Sequence, residues 1–272
     1  MLVLKLLAGL SFALGMARAH VHVQVGYSAG RWDLHVLDFD SGRFAPEQYP
    51  LFVAPAARQA VPAGDSFRFL GPAGDAVWIL PQNEASGLLN LGIGTSGIGP
   101  GVFVGNQLRL SLARVDGPGH FAMFSLSPLG VPVVHLASAD GVHPDADVLT
   151  LPAVNGHMHV NWSFSAPGVY RVGFVVHGMF AATGLPAASP VTDYTFIVQG
   201  PPAPRLSAPR PRSDGTWELQ VTAPGGELVR VETSDGLGPW APLLELTGTG
   251  EPVSFDLPAP GNARQFVRAV IP

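Results

Sequence analysis

The stretch His157-Met158-His159-Val160-Asn161-Trp162-Ser163-Phe164 decides the fold class. Side chains of a strand alternate between two faces. Met158, Val160, Trp162 and Phe164 therefore share one apolar face, and His157, His159, Asn161 and Ser163 share a polar one. His20-Val21-His22-Val23-Gln24-Val25 repeats the pattern, with valines on one side. Tyr170, Val172, Phe174 and Val176 repeat it again, and 194–198 reads as a closing strand. Ala166-Pro167-Gly168 has turn chemistry, which predicts a hairpin joining 157–164 to 169–176. Only 54–60 offers a short turn of helix. The pattern predicts an all-β protein whose main domain is a β-sandwich, either immunoglobulin-like or jelly-roll-like.

Composition agrees. Of 272 residues, 47% are hydrophobic and 13% charged, enough apolar material for a substantial core. The 33 glycines and 27 prolines fall between short apolar runs, as in a chain of many strands and turns. The net charge is −5 and no basic stripe is present, so nucleic acid is a poor partner. The absence of cysteine removes disulfide scaffolds, thiol catalysis, zinc ribbons and iron–sulfur clusters together.

Residues 1–19 read as an export signal. Lys5 supplies a positive charge, an apolar run follows to Met16, and Ala17-Arg18-Ala19 is a small-x-small cleavage site. Cleavage there makes His20 the first mature residue. The run is short of the about 20 residues a spanning helix needs, and no later segment reaches that length. The expected product is secreted, periplasmic or held at the cell surface, without a membrane span. Residues 20–199 form the large sandwich, 200–213 a proline-rich linker, and 214–272 a small C-terminal β-domain with five short strands. The C-terminal domain has no histidine and only scattered carboxylates.

Several segments carry a resemblance. They are Gly74-Asp75-Ala76-Val77-Trp78-Ile79-Leu80-Pro81-Gln82, Leu91-Gly92-Ile93-Gly94, Gly117-Pro118-Gly119-His120-Phe121, and the run from His157 through Pro167-Gly168 to Tyr170. With the opening His20-x-His22 and Trp32-Asp33-Leu34-His35-Val36, they resemble the bacterial surface-anchored domain called choice-of-anchor M, over roughly 20–198. The resemblance implies an exported, β-rich, cell-surface domain. Some members are encoded beside metal-type transporters, so a metal-transport system or a cell-envelope component is the implied partner. The chain departs from the family in lacking an anchoring tail, and in having His22 and Leu37 where members often carry His-x-Asp and His-Val-His.

The chemistry lies in the histidines. His-x-His on a strand sets two imidazoles on one face about 7 Å apart along the chain, close enough to chelate one ion. Two such pairs, His20 with His22 and His157 with His159, would converge if their strands were neighbours. His35 and His120 are candidate additional ligands. Zinc or copper suits imidazole. The bland alternative is that these histidines merely occupy the polar faces of amphipathic strands. Gly92-Ile93-Gly94-Thr95-Ser96-Gly97 matches the dinucleotide fingerprint by letters but lacks the following helix. The residues thus point first to a non-enzymatic, exported metal-binding or metal-handling protein. The alternative is a structural or adhesive surface module without metal, and a third reading is a copper oxidoreductase with His20 as an N-terminal histidine brace.

Overall fold

A computed structural model describes residues 20–258 and 264–271. The export-signal reading at 1–19 lies outside the described residues. The chain is almost entirely β and of sandwich type. It divides into two compact units after Gly200.

Among the described residues, three sheets build the first unit. The first runs His157–His159, Asn90–Ser96, His20–Ser28, Arg31–Asp38, Gly42–Phe44. The second runs Pro132–Ala137, Phe121–Leu126, Asn161–Phe164, Ala76–Leu80, Arg58–Ala60. The third runs Val148–Pro152, Gln107–Asp116, Gly168–Met179, Thr192–Val198, Leu51–Val53, with Pro186–Ala188 also on Gly168–Met179. Most pairings are antiparallel. His20–Ser28 with Asn90–Ser96, and Thr192–Val198 with Leu51–Val53, are parallel.

The sheets meet over one apolar core. Trp162, Phe164, Phe174, Phe196 and Phe121 pack as tilted and T-shaped rings, with centroids 5.0–6.3 Å apart. Tyr170 closes the corner before its strand: its hydroxyl donates to the Ala166 carbonyl at 2.9 Å. A Cβ at Gly117 would lie 2.4 Å from the Tyr170 ring, so only glycine lets that backbone approach so closely. Val21, Val23 and Val25 are fully buried in this core. Each contributes about 1.5–3 kcal/mol by leaving water, and together they fix the register of the first strand. Its other face is thereby committed to His20, His22 and Gln24.

Two local expectations change. The predicted hairpin does not form. The 157–164 run breaks at Val160, so that His157–His159 joins the first sheet and Asn161–Phe164 the second. Gly168–Met179 belongs to the third. Alternation was conserved through the break, which is why the faces were legible while the pairing was not. The helical turn at 54–60 is a single 3-10 turn, Pro55–Ala57, followed by the strand Arg58–Ala60.

In the second unit, Trp217–Thr222 pairs with Arg205–Leu206, Arg210–Pro211 and Val253–Leu257. Leu228–Ser234 pairs with Ala241–Thr247 and Phe266–Val270. Leu219, Val221, Val229, Val231 and Leu257 form its core. The stretch read as a linker, 200–213, therefore supplies two short strands, with Pro211 at a position where sheets tolerate proline. Among the described residues no helix is long and apolar enough to cross a membrane.

Candidate metal centre

The two His-x-His pairs do not sit on adjacent strands. Asn90–Ser96 lies between them. His22 is the register partner of Gly92, and so is His159, from the opposite side. Gly94 likewise pairs with Gln24 on one side and His157 on the other. Two residues on, side chains return to the same face of a strand, so Asn90, Gly92 and Gly94 form a nearly bare floor between the pairs. The imidazoles fold inward over it.

The space is tight. A Cβ at Gly92 would stand 2.6 Å from His22 Cδ2, 2.7 Å from His22 Nε2 and 2.9 Å from His159 Cε1. One at Gly94 would stand 2.1 Å from Gln24 Oε1 and 3.0 Å from His22 Nδ1. The Gly-x-Gly letters that fail as a nucleotide motif are thus the condition for the histidines to meet.

One ligand atom from each of His20, His22, His157 and His159 lies within 4.8 Å of every other. His22 Nε2 is 3.0 Å from His20 Nε2, and His157 Nε2 is 3.0 Å from His159 Nε2. Rings cross between the pairs as well, His22 to His157 at 4.6 Å and His20 to His159 at 5.3 Å between centroids. His22 is buried, His20 and His159 are half-buried, and His157 is exposed. The cluster is therefore reached from solvent on the His157 side. Phe39 covers another side, stacking on His20 at 4.6 Å and meeting His22 edge-on at 4.8 Å. A cavity of about 80 Å³ beside His20 is lined by Glu84, Ala85, Leu88 and Asn90.

Burial and neighbouring rings favour the neutral form of His22 and His159. Burial, then the neighbouring His157, His20 and His159, push the His22 pKa down to about 4, against a small opposing effect of Gln24. His159 is lowered for the same reasons, burial first, then His157 and His20. Neutral imidazole is the form that ligates metal. The Gln24 contact is loose. It favours the protonated His22 ring, yet Gln24 Oε1 is buried without a partner at hydrogen-bonding geometry. His159 Nδ1 and Asn90 Oδ1 are also buried without one. Buried polar atoms are ordinarily paired, so this concentration of orphans around one cluster fits a site shaped for a ligand.

The remaining sequence candidates lie elsewhere. His35 is buried opposite Gln24 on the next strand, with Nδ1 3.4 Å from Asp33 Oδ1. It stands outside the four-histidine group. Its pKa is lowered chiefly by burial, against the opposing charge of Asp33. His120 is exposed and also outside the group; its backbone N–H donates to Ser165 Oγ at 2.7 Å. His135 pairs with Ser125 Oγ, and His143 with the Asp140 carbonyl. Asp147 accepts from the backbone N–H groups of Ala137 and His143, a turn-stabilising role. Sequence reasoning missed Gly92, Gly94, Gln24, Asn90 and Phe39. The signal for three of them was available, since Gln24 follows His22 by two and the glycines are two apart.

The chain matches no protein-family model and no curated protein.

Proposed function

We propose that this is an exported, non-enzymatic metal-binding or metal-handling protein whose four imidazoles hold one zinc or copper ion. The observation that supports this most is the convergence of His20, His22, His157 and His159 within 4.8 Å over a glycine floor. Chance decoration of polar strand faces gives no reason for two strands to fold their histidines across a third. Four nitrogens at about 2.0–2.1 Å from an ion stand about 3.3 Å apart in a tetrahedron, or about 2.9 and 4.1 Å in a square plane. The 3.0 Å contacts and the 4.8 Å span require only small ring movements for either, so both zinc and copper(II) fit. Calcium and magnesium, which take oxygen ligands, do not.

Export rests on the sequence of residues 1–19, and the partner, a metal-transport system or cell-envelope component, rests on the resemblance to surface-anchored domains. Exposure of His157 beside a buried His22 suits an ion that is exchanged with a partner. A brace would chelate through the amino nitrogen and Nδ1 of His20, whereas Nε2 is the atom turned to His22. That favours a four-imidazole site over the copper oxidoreductase reading. Elemental analysis of secreted protein tests the proposal: one zinc or copper per chain supports it, and substoichiometric metal after mild purification returns the surface-module reading to the front. N-terminal sequencing of the same material should begin at His20.

A further inference from the structure

The His22 ring lies flat over two glycines, with its two nitrogens in different surroundings. Nε2 stands over Gly92 and faces His20 Nε2 at 3.0 Å. Nδ1 stands over Gly94, in the same small space as Gln24 Oε1, which is buried and has no partner. Gln24 itself is 5% exposed, on the polar face two residues after His22. An amide in that setting is costly unless its oxygen finds a donor. An Nδ1–H on His22, over the same glycine, would supply that donor.

We infer that Gln24 is a positioning residue that fixes the tautomer of His22: its Oε1 accepts a hydrogen bond from Nδ1–H, leaving the Nε2 lone pair aimed at the cluster. A neutral imidazole carries one ring proton, so placing it on Nδ1 keeps it off Nε2. In the metal-free protein His22 Nε2 then accepts from His20 Nε2–H, which accounts for the 3.0 Å contact. To ligate through Nε2 as well, His20 has only to carry its ring proton on Nδ1 instead, so that both Nε2 lone pairs face the ion. Partners on the outer nitrogen of a ligating histidine orient the ring and raise its basicity, and their loss typically lowers metal affinity 10–100-fold. Gly94 is part of the device, because any side chain there would separate the two atoms. This inference rests on the metal-site reading for its purpose, but not for its first test.

That test is long-range proton–nitrogen NMR of the full-length, metal-free protein near neutral pH. His22 should carry its proton on Nδ1, and Gln24→Met, which keeps the side-chain length, should shift it to a mixture of tautomers. Zinc titration should show affinity about 10–100-fold weaker for Gln24→Met and within a few-fold of wild type for Gln24→Glu, whose carboxylate still accepts from Nδ1. A wild-type His22 protonated on Nε2 overturns the inference. So does a Gln24→Met variant with unchanged tautomer and unchanged affinity. If the wild type binds no zinc or copper, the metal reading fails, while the tautomer measurement still decides the role of Gln24.

Discussion

His22 and His159 are separated by a single residue, Gly92, which is the register partner of both. The four-imidazole cluster exists because that residue has no side chain. The stability of the fold and the integrity of the site are therefore separable at this position.

Gly92→Ala tests the separation. Its new Cβ would meet His22 Cδ2 at 2.6 Å and His159 Cε1 at 2.9 Å, the movable ends of two side chains rather than backbone. The rings should swing away at little cost, so stability should change by no more than about 1 kcal/mol. Metal affinity should fall at least tenfold. Chemical denaturation and calorimetric titration of one preparation check both. An unaltered affinity would mean that the glycine floor is incidental.

The pH dependence follows from His22. Its pKa in the folded chain is about 4, below the ordinary 6.5. Between those values the unfolded chain binds more protons than the folded one, so metal-free stability should rise with pH across that window and be complete above it. Discounted for solvent screening, the gain is about 2 kcal/mol. Denaturation of metal-free protein at pH 4.5 and 7 should show it, and His22→Asn should flatten it. Because His22 and His159 resist protonation, metal affinity should also decline more gently below pH 6.5 than four ordinary imidazoles would allow.

Trp162 tests the core. It is fully buried among Phe121, Phe174 and Phe196, and its indole N–H has no partner. Trp162→Ala should cost about 3–5 kcal/mol. Trp162→Phe should cost clearly less, because it removes an unpaired polar atom along with the volume. Denaturant midpoints of the two variants give the comparison. A tolerated Trp162→Ala would contradict the burial described.

Much of this was legible from the chain. Period-two alternation put Trp162 and Phe164 in the core and His157 and His159 opposite them, because face assignment depends only on local backbone geometry. Pairing was less legible. Val160 interrupts the strand without disturbing the alternation, so nothing local reveals that His157–His159 and Asn161–Phe164 enter different sheets. From the sequence, the two histidine pairs converge only on the condition that their strands are neighbours. The intervening Asn90–Ser96 strand comes from a parallel pairing, and contacts between residues 22, 92 and 159 are long-range choices made by the core. His35 and His120 share the residue type of the cluster but sit elsewhere for the same reason: spacing identifies faces, not neighbours.

The proposed site holds one zinc or copper ion between four imidazoles. Calorimetric titration of zinc and of copper(II) into wild type and into His157→Ala/His159→Ala measures it most directly. Expected are one ion per wild-type chain, a rise in thermal stability on loading, and a large loss of affinity in the double variant with the fold intact by circular dichroism. Equal affinity in the two proteins, or no binding in either, would contradict it.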